Sequence, residues 1–308
     1  MPVRKTAFGL DLESELPLAF LGGASAEPTG RSLEISLREG VRRSWPEPAE
    51  LVCDERGPDG GTVFQIETHL QAGYLISGPE YGAHLLSSDG GELWCDPEGL
   101  PDERWQRLLI AQILPFAALL HGLEVFHASA IVRHGEAIAF VGRSGSGKTS
   151  IARELCRDGP ELLADDVLAL EVRGQRLFAH PGTPLASIAR VGVEADMKLP
   201  REEVVAINPR EHLVRVVGAS EPVPLAALFF LERLAEGPAS PRFEPVADAQ
   251  MLLSATFNFI LSSPERLRGL LEVCALAATL HVERVVCGPA TSVAEIGEAV
   301  ARRLAAGR

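Results

Sequence analysis

The sequence predicts an α/β core behind a smaller β-rich N-terminal domain. Three observations predict it. Up to about residue 103, short apolar runs are separated by turn clusters such as Gly22-Gly23, Gly57 to Gly61 and Asp89-Gly90-Gly91. From Val125 onward, strand-like apolar segments alternate with helical patterns. Between Ala137 to Val141 and a helical run that starts at Lys148 lies a glycine-rich loop, Gly142 to Gly147.

Taken in order, residues 1–103 read as short strands joined by hairpin turns, the last turn being Asp96 to Gly99. Pro101-Asp102-Glu103 is a helix start signal, and Trp105, Leu108, Leu109, Gln112, Ile113, Phe116 and Leu120 then recur at helical spacing, which predicts one helix from Asp102 to His121. Residues 104–122 of it would bridge to a core spanning 123–308. That core is expected to run through an apolar segment Phe126 to Val132, a turn at His134-Gly135, a strand Ala137 to Val141 and a helix Lys148 to Asp158. A turn at Gly159-Pro160 leads into a strand Leu162 to Val172, followed by strands at Leu177 to His180, Val214 to Val217 and Ala226 to Glu232. The last third carries helical patterns at Ala249 to Leu261, Pro264 to His281 and Ser292 to Ala306.

A chain of 308 residues with 46% apolar and 23% charged residues is ordinary for a folded protein of two domains and excludes disorder. The net charge of −13 has the wrong sign for gripping a phosphate backbone, so nucleic acid is not an expected partner. Most of the acidity lies early: residues 1–122 hold 9 basic and 19 acidic side chains, against 20 and 23 in the remainder. Five scattered cysteines, an odd number without a Cys-x-x-Cys pair, argue against a disulfide framework and a structural zinc site. Arg4 and Lys5 are followed by Asp11, Glu13 and Glu15 rather than by an apolar stretch, so no secretory signal is expected. The apolar run Leu108 to Leu120 is well short of the ~20 residues that span a bilayer. A cytoplasmic protein without a membrane partner is the expectation.

Gly142-Arg143-Ser144-Gly145-Ser146-Gly147-Lys148-Thr149 fits the phosphate-binding pattern G-x-x-x-x-G-K-[ST], after a strand and before a helix as that pattern requires. The chemistry follows from the residue types. Glycines let backbone N–H groups converge on phosphates, the helix N-terminus contributes about half a positive charge, Lys148 reaches the β- and γ-phosphates, and the Thr149 hydroxyl can ligate Mg²⁺. Lys148 is one of only three lysines in the chain. The expected nucleotide contacts are Gly142, Ser144, Gly145, Ser146, Gly147, Lys148, Thr149 and Ser150, with ATP and Mg²⁺ as cofactors.

Asp165 and Asp166 follow inside the apolar run Leu162 to Leu170. Adjacent carboxylates in a strand point to opposite faces and are costly to bury without a cation or hydrogen bonds, which suggests two jobs: one holds Mg²⁺, the other takes the proton from an attacking hydroxyl. The residues alone leave open which does which. His127, ten residues before the loop strand, reads by itself more readily as a core histidine than as a catalytic one.

Together, His127, Lys148 within Gly-x-Ser-Gly-x-Gly-Lys, and Asp165-Asp166 one helix later resemble the HPr kinase/phosphorylase superfamily. The likeness is greatest to its stand-alone serine kinases found with peptide-modifying enzymes. The motif-bearing likeness covers Val125 to Glu171. It implies a P-loop kinase core of the HPr kinase and phosphoenolpyruvate carboxykinase type, with His127, Lys148 and Asp165 at the transfer centre and Thr149 and Asp166 at the metal. It also implies a homo-oligomer. Ser150 stands where bifunctional members carry Glu, so reverse phosphorolysis is not expected, and the first 100 residues do not resemble their regulatory domain.

The functional expectation is a kinase that transfers the γ-phosphoryl group of ATP to a Ser or Thr hydroxyl of a peptide, protein or small metabolite. The alternatives are a nucleotide-gated binding protein and a P-loop ATPase without a phosphoacceptor. The acidic N-terminal domain is the natural candidate for recognising the acceptor.

Overall fold

A computed structural model describes residues 2–157, 159–189, 203–207, 211–246, 250–257 and 264–306. The described residues divide into two compact units, one ending at Leu123 and the other starting at Glu124.

The first unit is built on an eight-stranded sheet: β1 Val3–Ala7, β2 Leu10–Ser14, β3 Ser32–Leu37, β4 Glu50–Arg56, β5 Thr62–His69, β6 Gly73–Gly78, β7 Gly82–Leu86 and β8 Glu92–Asp96. Their order is β1-β2-β3-β8-β7-β6-β5-β4, antiparallel except where β3 runs parallel to both β2 and β8. Strands β2 and β3 alternate as the period of a half-buried sheet demands, with Leu10, Leu12, Leu33 and Ile35 inside and Glu13 and Glu34 outside. The helical run follows as α1 Asp102–Leu108, a π turn Leu109–Ile113 and α2 Leu114–Leu120. Pro115 explains the π turn. It has no N–H for the carbonyl four residues earlier, and the backbone widens so that the Leu114 N–H reaches the Leu109 carbonyl. Trp105, Leu109, Ile113 and Phe116 are buried, and the Phe116 ring meets Tyr74 edge-on at 4.8 Å. The whole run belongs to this first unit.

In the second unit the strands are β9 Glu124–Phe126, β10 Ala128–Arg133, β11 Glu136–Val141, β12 Glu161–Ala164, β13 Leu168–Arg173, β14 Arg176–His180, β15 Leu185–Ala189, β16 Glu203–Ile207, β17 Glu211–Arg215, β18 Val223–Arg233, β19 Arg242–Pro245 and β20 His281–Cys287. The helices are α3 Lys148–Cys156, α4 Gln250–Leu253, α5 Pro264–Ala277 and α6 Val293–Ala306. Nine strands share one sheet, with β12-β10-β11-β18-β14-β13-β9 as its path and β20 also against β18. Strands β11, β18 and β20 are parallel, so their C-terminal ends lie on one edge. Alternate residues of β11 feed two cores. Ile138 and Phe140 pack with Ile151 and Ala152 of α3 and Ile296 and Val300 of α6, while Ala137, Ala139 and Val141 pack in the cluster that includes Leu270 and Val273 of α5. Strands β15, β17 and β16 form a separate three-stranded sheet.

Four sequence expectations are corrected. The strand Leu162 to Val172 is two strands, β12 and β13, because the chain bends at Asp165-Asp166 and Asp166 takes a left-handed conformation (φ 66°) that no strand contains. The paired aspartates therefore do not alternate across a sheet. The helix expected to His281 ends at Ala277, and His281 opens β20, whose Val282, Val285 and Val286 favour a strand. Of the helix Ala249 to Leu261, only Gln250–Leu253 is helical among the described residues; 249 and 258–261 lie outside them. The run Phe126 to Val132 is broken at His127. No helix among the described residues is long and apolar enough to cross a membrane.

Candidate active site

The site starts where β11 ends. Gly142 leaves the sheet edge so close to β18 that a Cβ there would lie 2.7 Å from the Leu231 carbonyl oxygen and 2.7 Å from the Ser146 hydroxyl. Only glycine fits. Gly147, with φ 100°, turns the loop into the first residue of α3, a conformation other residues adopt at a cost. Lys148 then stands at the helix N-terminus and folds back over the loop. Its Nζ donates to the Gly142 carbonyl at 2.9 Å and to that of Arg143 at 3.4 Å. The Ser146 hydroxyl is buried without a hydrogen-bond partner among the described residues. Ser144 and Gly145 are exposed and Ser150 is half-buried.

The two bends carry the remaining groups. Phe126 pairs with Leu168 on one side of the bends and Ala130 with Ala164 on the other. The two bent segments, at His127 and at Asp165-Asp166, therefore lie between the same pair of ladders. The chain creases twice, between β9 and β10 at His127 and between β12 and β13 at Asp165-Asp166, with Ser129 two residues past the first crease in β10.

Asp165 is the most heavily bonded of them. Its Oδ1 accepts the Thr149 hydroxyl at 2.7 Å and the Ser129 hydroxyl at 2.6 Å, and its Oδ2 accepts the Ser187 N–H at 2.9 Å. Three segments, α3, β10 and β15, thus converge on one carboxylate. Burial pushes the Asp165 carboxyl above the usual carboxylate range, the three hydrogen bonds pull it back, and the neighbouring Asp166 charge adds to the rise. Asp166 is exposed and makes no hydrogen bond or ion pair among the described residues. His127 is exposed too. Its N–H donates to the Ala255 carbonyl at 2.6 Å, and its ring lies 5.2 Å from that of Phe257, not hydrogen-bonded to either aspartate.

Of the residues singled out in the sequence, Thr149 and Asp165 meet directly, Lys148 and Ser146 close the loop that leads to them, and His127 and Asp166 flank the same creases on the solvent side. Ser129 and the Ser187 N–H were missed. A lone serine between alanines carries little signal, although its two-residue spacing from His127 puts it on the strand that faces the aspartates; a backbone donor carries none.

The residues present suit a phosphate chain and a magnesium ion. The unpartnered Ser146 hydroxyl, the cramped Gly142 and the Lys148 ammonium resting on carbonyls form a cradle for anionic oxygens. Thr149 and Asp165 offer hard oxygen donors, and no cluster of three or more His, Cys, Asp or Glu side chains occurs among the described residues. Few protein ligands beside a nucleotide cradle fit Mg²⁺, which keeps waters and takes phosphate oxygens.

No family model matches the chain, and no curated protein matches it. Among solved structures, the HPr(Ser) kinase/phosphatase from Coxiella burnetii is similar at 14% identity over 60% of this chain and 99% of that one, with a TM-score of 0.32.

Proposed function

We propose that the protein is an ATP-dependent phosphotransferase that moves the γ-phosphoryl group to a Ser or Thr hydroxyl of a peptide, protein or small metabolite, with Mg²⁺ as the accompanying cation. The observation that carries this reading is the Thr149 hydroxyl on the Asp165 carboxylate at 2.7 Å, directly behind a glycine loop that opens a helix. A simple strand-to-helix turn needs no such pair.

In this reading Lys148 exchanges its loop carbonyls for β- and γ-phosphate oxygens, and the loop N–H groups and the Ser146 hydroxyl bind the rest of the chain. Thr149 and Asp165 would hold the cation, which when bound would draw charge from the phosphate oxygens. Asp166, exposed beside them, accepts the proton of the acceptor hydroxyl as its oxygen bonds to phosphorus and the bond to the ADP oxygen breaks. His127 lies on the solvent side of the same creases, where it can hydrogen-bond the incoming acceptor. This assignment is the reverse of the one the resemblance implies, a choice the residues alone leave open. The reason is environment: a carboxylate enclosed by three donors suits a cation, and an exposed one suits an acceptor that arrives from solvent.

The test is transfer from γ-labelled ATP with Mg²⁺ to a panel of free serine, free threonine and Ser- and Thr-containing peptides of both charge signs. Label on an acceptor, absent with Lys148→Ala, supports the reading. Phosphate release at one rate with and without every acceptor, or ATP bound without turnover, overturns it in favour of an ATPase or a nucleotide-gated binder.

A further inference from the structure

We propose that Ser129 is the positioning residue of the cation site: its hydroxyl holds the Asp165 carboxylate so that one oxygen stays turned toward Thr149. This inference rests on the nucleotide reading above.

Ser129 is fully buried (0% exposed) in β10, between Ala128 and Ala130. Its hydroxyl donates to Asp165 Oδ1 at 2.6 Å, the same oxygen that accepts from Thr149 at 2.7 Å. The two donors differ in reach. Thr149 stands in the first turn of α3, half-buried beside the loop, so its oxygen can leave Asp165 for a cation. Ser129 is held inside β10, which pairs with β12 up to the residue before Asp165, and its hydroxyl has no exposed path to an incoming ion. Once Thr149 turns to a cation, the orientation of Asp165 is left to Ser129 on one oxygen and to the Ser187 N–H on the other. A carboxylate that ligates a metal is aimed by such outer hydrogen bonds, and their loss commonly weakens metal affinity about 10- to 100-fold. Both bonds also favour the charged form against the burial that disfavours it.

The experiment compares ATP affinity with and without Mg²⁺ by calorimetry on the full-length chain. The readout is the ratio of the two affinities, which is insensitive to a general loss of active protein. In Ser129→Ala the Mg²⁺-dependent gain is expected to fall at least tenfold, and in Ser129→Thr, which keeps the hydroxyl, to stay within about threefold of the parent. Ser129→Val against Ser129→Thr gives the same contrast between side chains of equal shape if the alanine variant does not fold. An unchanged Mg²⁺ gain in Ser129→Ala, or equal gains in the Val and Thr variants, overturns the role of Ser129 and leaves the nucleotide reading standing. A parent protein whose ATP affinity does not respond to Mg²⁺ overturns both.

Discussion

Glu124, the first residue of β9, is 7% exposed and faces one nearby cation, Arg266 of α5, at 3.5 Å. Burial raises its pKa to about 7 from the ordinary 4.5, and the Arg266 charge offsets only part of that rise. The folded chain therefore holds a proton here that the unfolded chain has already released. Stability from this group is fully present below pH 4.5, declines as pH rises, and is gone above about pH 7. A rise from 4.5 to about 7 is worth about 3.5 kcal/mol over the whole window, at roughly 1.4 kcal/mol per unit. Glu124→Gln keeps the shape and removes the titration. Denaturant unfolding of parent and variant at pH 5, 6, 7 and 8 should show the variant gaining on the parent by about 2 to 3 kcal/mol between the first and last of these, with nearly all of the change below pH 7.5. A stability difference that stays flat over that range refutes the argument, because it would mean that Glu124 is as easily ionised in the folded chain as in water.

The remaining predictions concern the loop and the creases. Lys148→Ala should lower phosphoryl transfer by at least about a hundredfold, as loss of a transition-state donor does, with γ-labelled ATP as the assay. Asp166→Asn should lower the transfer rate about 10²- to 10⁴-fold with little change in the Mg²⁺ requirement, whereas Asp165→Asn should raise the Mg²⁺ concentration needed for half-maximal rate; the opposite assignment of effects would return the base role to Asp165. Gly142→Ala places a methyl group 2.7 Å from a backbone oxygen of β18, so the loop must shift. Unfolding should show a loss of about 1 to 3 kcal/mol and nucleotide titration a weaker ATP complex. Chelation of divalent cations should stop transfer, and Mg²⁺ should restore it.

The parts of this architecture that were legible in the sequence are those written in local chemistry. Turn clusters such as Asp89-Gly90-Gly91 separate strands of the first unit, and the heptad-like apolar spacing from Trp105 to Leu120 marks a helical run whose only surprise is the widening that Pro115 imposes. The loop from Gly142 to Gly147 lies between β11 and α3 as its pattern demands. The creases were not legible, because Leu162 to Leu170 is apolar on both sides of Asp165-Asp166 and nothing in an Asp-Asp pair announces a left-handed backbone. Ser187 reaches Asp165 through its N–H, which every residue but proline possesses. The helical expectation ran four residues past Ala277 to His281, since Leu280 keeps an i, i+4 spacing from Leu276.

The double crease limits how this chain can be altered. Side chains along a strand emerge alternately, so deleting or inserting one residue between Phe126 and Ser129 would turn Ser129 away from Asp165, and a change of length at the bend between β12 and β13 would move Asp165 off Thr149. Length changes here should be lethal to function even where they leave the apolar core filled. Anyone grafting this segment onto another scaffold would have to carry residues 124–133 and 161–173 as a matched pair, with the helix that begins at Lys148 between them.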